Sequence, residues 1–104
     1  MNLYYSPEDF GLTLLGVIDW SDGNYVFDYT AVWTDNAGRV FYFDDSGCSC
    51  PIPFDGLTVR DLQVAHRPQD IITHLANRAS NNYGGRRLDE RASLVERVRE
   101  VFSR

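Results

Sequence analysis

Residues 25–34 read Tyr25-Val26-Phe27-Asp28-Tyr29-Thr30-Ala31-Val32-Trp33-Thr34, and this stretch decides the fold. Its side chains alternate with a period of two. Tyr25, Phe27, Tyr29, Ala31 and Trp33 fall on one face, and Val26, Asp28, Thr30, Val32 and Thr34 on the other. An extended strand separates residues in this way, and a helix does not. The aromatic face is expected to be the core side. The opposite face mixes Val with Asp and Thr and is expected to be partly solvated. Burying one Phe or Trp contributes roughly 2–3 kcal/mol, so a few such rings drive much of the folding of a small domain.

Turn chemistry flanks the strand. Ser21-Asp22-Gly23-Asn24 precedes it, and Asp35-Asn36-Ala37-Gly38 follows, with Gly38 the expected left-handed residue of a hairpin. Residues 13–20 predict a first strand. Residues 39–44 predict a third, in which Phe41 and Phe43 alternate with Val40, Tyr42 and Asp44. Three strands with short connections make an antiparallel meander. Ahead of them, Ser6-Pro7-Glu8-Asp9-Phe10 predicts one helical turn, capped by Ser6, opened by Pro7 and ended by Gly11.

Downstream the periodicity changes. Thr58-Val59-Arg60-Asp61-Leu62 predicts the start of a short helix, with Thr58 and Asp61 in capping-box positions. Pro68 opens a helix to about Ser80, whose stripe is Ile71, Ile72, Leu75, Ala76 and Ala79. Asn81-Asn82-Tyr83-Gly84-Gly85 breaks it. Residues 87–102 predict a last helix with apolar positions Leu88, Ala92, Leu94, Val95, Val98, Val101 and Phe102. The expected architecture is α+β: one domain over residues 1–104, a small antiparallel meander of about three strands packed against two or three C-terminal helices.

Charge divides the chain at the same place. Residues 1–57 carry nine acids against Arg39, a net of −8. Residues 58–104 carry nine arginines against six acids, a net of +3. The whole chain stands at −5 with a pI near 4.8. That balance argues against a nucleic-acid or anionic-membrane binder, which needs a basic footprint. No apolar window is long enough for a membrane helix, and the N-terminus lacks the basic, then apolar, pattern of a secretory signal. A reducing cytosol is the expected compartment. All ten basic residues are arginine, as GC-rich coding would produce.

Residues 44–54, Asp44-Asp45-Ser46-Gly47-Cys48-Ser49-Cys50-Pro51-Ile52-Pro53-Phe54, form the densest segment. Two prolines and a glycine stiffen it, and stiff irregular loops often carry function. Cys48 and Cys50, separated by one residue, are closer than the usual zinc-ligand spacing. His66 and His74, the only histidines, would have to complete a zinc site. A cysteine nucleophile would need one of the same histidines as base. A disulfide between Cys48 and Cys50 would be strained. Asp44 and Asp45 are adjacent, so within a strand they point to opposite faces and make no carboxylate dyad. Asp19-Trp20-Ser21-Asp22-Gly23-Asn24 loosely matches a calcium loop but places Thr30 where a bidentate Glu belongs. No phosphate loop, dinucleotide fingerprint, zinc-protease helix or serine elbow is present. Gly84-Gly85-Arg86-Arg87 reads as a hinge with solvated arginines.

The strings Trp20-Ser21-Asp22-Gly23, Phe27-Asp28-Tyr29-Thr30-Ala31-Val32-Trp33 and Asp45-Ser46-Gly47-Cys48-Ser49-Cys50-Pro51 with Pro53-Phe54 resemble a family of small proteins from phages of actinobacteria and their hosts. The opening Tyr5-Ser6-Pro7-Glu8-Asp9-Phe10-Gly11 fits the same family. The likeness covers roughly the first half of the chain. It implies a phage origin and a role inside an infected bacterium, and carries no catalytic residues or cofactor with it. The expected function is a non-enzymatic accessory protein that binds a host or phage protein, in one version by imitating nucleic-acid phosphates with carboxylates. Its partner-binding candidates are Asp22, Asp35, Asp44, Asp45, Ser46, Cys48, Cys50 and Phe54. A zinc-stabilised module on Cys48, Cys50, His66 and His74 and a thiol-dependent enzyme are the alternatives; no cofactor is expected otherwise. Both a monomer and a homodimer through residues 87–102 are open, because an amphipathic terminal helix packs on its own sheet or on a neighbour's.

Overall fold

A computed structural model describes residues 2–21, 26–48, 52–80 and 87–104. A 3₁₀ turn at Pro7–Phe10 leads through left-handed Gly11 into β1 (Leu12–Asp19), β2 (Val26–Asp35) and β3 (Val40–Cys48). A second 3₁₀ turn at Val59–Asp61 precedes β4 (Gln63–Ala65), and two helices follow, α1 (Pro68–Ser80) and α2 (Leu88–Phe102). The sheet is antiparallel throughout, in the order β1-β2-β3-β4. The α+β expectation is met with four strands instead of three.

The hairpin between β2 and β3 forms as its sequence requires. Gly38 adopts φ +80°, and Asp35 turns its carboxylate inward to accept the N–H groups of Ala37 (3.0 Å) and Arg39 (2.9 Å). β3 continues past Asp44 to Cys48, in register with β2 from Thr34↔Val40 to Val26↔Cys48. Thr58 and Asp61 do form their capping contact, Thr58 N–H donating to the Asp61 carboxylate at 2.8 Å. The helix they were expected to start is a single turn, and the chain then adds β4 to the edge of β3 through Val40↔Ala65 and Tyr42↔Gln63.

The helices cover the face that was expected to be partly solvated. Val32, Val40, Ile18, Trp20 and Ala65 pack against Ile71, Leu75 and Ala79 of α1 and Leu94, Val98 and Val101 of α2. The aromatic face is roofed instead by irregular chain. Leu3 from the N-terminal segment and Phe54 and Leu62 from residues 52–62 close over Leu12, Ala31, Trp33 and Phe41. Both faces of the sheet are therefore buried. The burial of the second face has a physical reason: Asp28 and Thr30, its polar residues, find partners on neighbouring elements, so their burial is compensated. Each buried tryptophan also has its N–H satisfied, Trp20 by the Thr30 hydroxyl (2.8 Å) and Trp33 by the Leu3 carbonyl (2.9 Å).

α2 seats on β1 through a bulge. Leu14 pairs with Trp33 and Gly16 with Val32, leaving Leu15 as the extra residue. A Cβ at Gly16 would stand 2.9 Å from Leu94 Cδ1, so glycine sets the approach of α2. From α2, Arg97 donates to the Leu15 carbonyl (2.9 Å). Arg87, just before the helix, donates to the carbonyls of Asp19 (2.9 Å) and Ser21 (2.8 Å). These arginines cover carbonyls of the outer strand that would otherwise invite another chain. No described helix is long and apolar enough to cross a membrane.

Candidate functional site

Two groups of side chains lie where chemistry or recognition would be sought. The first is a polar network between β2, β3 and α1. Asp44 takes the Thr30 hydroxyl on Oδ1 and stands 2.8 Å from His74 Nε2 through Oδ2. Arg78 pairs with Asp28 and reaches to within 3.9 Å of Asp44. Its guanidinium also lies over the Trp20 ring, 5.6 Å from the centroid, and the His74 ring stands 4.9 Å from that of Tyr42. Burial alone would push the Asp44 carboxyl up. The hydrogen bonds from His74 and Thr30 and the nearby charges of His74 and Arg78 outweigh it and hold the group below the usual carboxylate range.

This network contains a hydroxyl, an imidazole and a carboxylate, but in the wrong order for nucleophilic attack. In a triad the imidazole touches the hydroxyl, and the carboxylate orients the imidazole from its far side. Here the carboxylate sits between the other two. The Thr30 hydroxyl is wholly buried and already accepts from Trp20. The geometry is a tether that holds α1 against the sheet.

The partner-binding candidates scatter. Asp35 serves its own turn and pairs with Arg39 at 2.6 Å. Burial would raise its carboxyl, but the Arg39 hydrogen bonds and charge and the Ala37 N–H hold it below the ordinary value. Asp45 faces away from Asp44, as adjacent strand positions must. It accepts from the N–H of Ser46 (3.0 Å) and of Phe54 (2.7 Å). Ser46 is exposed. Phe54 is fully buried beneath Tyr4 and Tyr29 and beside Trp33, so it is a core residue and offers no contact surface. Its φ of +62° is strained for a bulky side chain, and the Asp45 hydrogen bond holds it there. Asp22, Cys50 and the Cys48 side chain lie outside the described residues. Of the proposed zinc set, His74 is engaged with Asp44, and exposed His66 gives its backbone N–H to Asp70 (2.8 Å). Among the described residues, no group of three or more His, Cys, Asp or Glu side chains is placed to hold a metal ion.

The second group is a chain of rings that sequence reading missed. It starts at buried Trp33 and Phe54 and runs outward through Tyr29 and Tyr4 to Phe27 and Tyr5. Centroid separations are 5.6 Å for Tyr4–Tyr29, 5.2 Å for Phe27–Tyr29 and 4.9 Å for Tyr4–Tyr5. Tyr5 is 66% exposed. In the sheet, Tyr29 is paired on one side with Asp19 and on the other with Asp45, so two carboxylates flank it on its own face. The Tyr29 hydroxyl is held above its ordinary pKa by burial first, then by Tyr4 and by the negative charge of Asp19. The patch is thus aromatic and lies in a negative potential. The residue that assembles it is Asn2. Its Oδ1 accepts from Tyr4 (2.7 Å) and Tyr5 (3.1 Å), while its Nδ2 reaches the Pro53 carbonyl (3.0 Å), folding the N-terminal segment back over the sheet.

Among curated proteins and among solved structures, no match was found. A family model described as a domain of unknown function, DUF7574, matches residues 1–104, and the chain belongs to that family.

Proposed function

We propose that this is a non-enzymatic binding protein that docks a protein partner through the Tyr4–Tyr5–Tyr29 patch, the partner supplying arginine or lysine side chains. The observation that carries the reading is the Asp19–Tyr29–Asp45 row under the exposed Tyr5. Aromatic faces beside carboxylates attract cations by two routes, the ring quadrupole and direct charge. Tyrosine is also enriched at protein interfaces. The reading is narrower than general acidic mimicry, because Asp28, Asp35 and Asp44 are already paired with Arg78, Arg39 and His74 of the same chain. The likeness to actinobacterial phage proteins supports a host or phage protein as the partner, met in the cytosol of an infected bacterium.

The test is an NMR titration of the full chain with tetra-arginine and tetra-glutamate peptides. Arginine peptide should shift the amides of Tyr4, Tyr5, Phe27 and Tyr29, and the shifts should shrink as salt rises. Glutamate peptide should leave them unmoved. Tyr5→Ala should weaken the arginine response about fivefold, the size expected for one exposed cation–π contact. Arginine-induced shifts confined to other surfaces, or identical titrations with both peptides, would refute the assignment.

A further inference from the structure

α2 carries more apolar surface than its own core uses. Leu94, Val98 and Val101 are buried in the core shared with the sheet. Leu88, Ala92 and Val95 form a second stripe at helical spacing. With Ile72 and Leu75 of α1 they line a groove of about 270 Å³. Leu88, at one end, is 63% exposed. Arg91 and Arg99 complete the lining, so the groove carries two guanidinium groups and no carboxylate. The acids of the neighbourhood are directed elsewhere. Asp89 and Glu90 line a separate pocket on the opposite flank of α2, beside Gly16 and Val17. Asp70, the one acid of α1, accepts the His66 N–H and pairs with Arg67. Glu96 and Glu100 are exposed outside the groove.

We propose that this groove receives an acidic amphipathic helix of a partner protein, its apolar stripe set on Leu88, Val95 and Ile72 and its carboxylates beside Arg91 and Arg99. A groove between two packed helices takes a third through apolar residues spaced i, i+3, i+4 and i+7. From Leu88 to Arg99 the groove side of α2 is about 16 Å long, room for about three turns of such a helix. Arg91 and Arg99 stand about 12 Å apart along the axis, so partner acids two turns apart reach both. Charge selects this occupant over the others. A second copy docked groove to groove would set arginine against arginine. An anionic membrane would meet the whole chain, whose net charge is −5. A short acidic helix meets the groove alone. The groove is on the helix side of the sheet and the tyrosine patch on the opposite side, so the proposal does not depend on what the patch binds.

The probe is a labelled helical peptide of about 16 residues, with leucines at i, i+3, i+4 and i+7 and glutamates two turns apart beside them, titrated with the full chain by fluorescence anisotropy. One companion peptide has lysine for each glutamate, and another has the same composition in an order that destroys the stripe. The glutamate peptide should bind at least about tenfold more tightly than either. Leu88→Asp and Arg99→Glu change exposed residues, so the circular dichroism spectrum and melting temperature should stay as they are. Each should weaken the glutamate peptide about fivefold or more. Arg99→Glu should also tighten binding of the lysine peptide, a reversal that loss of packing does not produce. Tyr5→Ala, on the other side of the sheet, should change none of these titrations. Equal binding of the glutamate and lysine peptides would overturn the proposal, as would indifference to Leu88→Asp or to Arg99→Glu. So would a dimer in sedimentation equilibrium that Leu88→Asp dissociates, or flotation with anionic phospholipid vesicles that Leu88→Asp abolishes, since each assigns the groove to another occupant.

Discussion

Replacing Gly16 by alanine tests how the helical layer is seated. The added methyl would lie 2.9 Å from Leu94 Cδ1 and 3.2 Å from Arg97 Nη1. Arg97 is exposed and moves aside at little cost, although its bond to the Leu15 carbonyl is then strained. Leu94 is only 2% exposed and belongs to the core that includes Val98, Val101 and Ile18, so moving its side chain disturbs that packing. Overpacking of this kind costs about 1–3 kcal/mol. Against it stands the removal of a glycine from a strand, which returns roughly 0.5–1 kcal/mol. The expected net is a destabilisation of about 1 kcal/mol, or a fall of some 4–8 °C in Tm for a domain of about this size. Urea unfolding followed by tryptophan fluorescence measures it. Leu94→Val supplies the control: if the two side chains compete for one space, the double variant recovers part of the loss, with a coupling of about 0.5 kcal/mol or more. A neutral or stabilising Gly16→Ala that adds independently to Leu94→Val would refute the close contact of α2 with the bulge.

Two further perturbations probe the carboxylates. Asp35 and Asp44 both sit below their unfolded pKa, so the stability they contribute is present in full above about pH 4 and is lost as pH falls below it; urea midpoints at pH 7, 4 and 3 should drop most steeply over the last step, and Asp44→Asn should flatten that drop. Asp45→Ala leaves the N–H of buried Phe54 without its acceptor and should cost about 1–3 kcal/mol, with faster proteolysis of residues 52–62 as the local readout; an unchanged unfolding midpoint would mean that the strained Phe54 backbone needs no such anchor.

What could be read from the sequence follows the range of the interactions involved. α1 begins at Pro68 and ends at Ser80 as expected, because a proline start, an apolar stripe and a following Asn-Asn-Tyr-Gly-Gly run are all local signals. The Asp35–Gly38 hairpin and the Thr58–Asp61 capping contact are local too. β4 escaped notice because Gln63-Val64-Ala65 is too short to show alternation and exists only through its pairing with β3. The aromatic face is core as expected, but the expectation of a partly solvated opposite face failed for a related reason. Alternation in residues 25–34 shows that two faces exist, not which layer covers each. That choice was settled by Thr30, whose hydroxyl is used by Trp20 ten residues earlier and Asp44 fourteen later. The tyrosine patch depends on Asn2 bridging to Pro53, a contact between distant parts of the chain that no window of sequence contains.

The contrast between an acidic first half and a basic second half acquires a different meaning once these contacts are placed. Read along the chain, it resembles a negative surface prepared for an outside partner. In space, part of it is an internal seam. Arg78 of α1 meets Asp28 and lies near Asp44, His74 meets Asp44, and Arg87 and Arg97 bind carbonyls of β1 and of Ser21 just beyond it. Each of these joins the helical half to the β half, so the opposite charges of the two halves help to fix the helices on the Val32 face. That face had too many polar side chains to be buried by apolar packing alone, and Arg78 and His74 of α1 supply the partners that Asp28 and Asp44 need. The consequence for recognition is subtractive. Carboxylates that serve the seam contribute little to an outside partner, while Asp19 and Asp45, on the other side of the sheet, border the tyrosines. It is this pairing of carboxylates with rings on which the proposed docking of a cationic side chain rests.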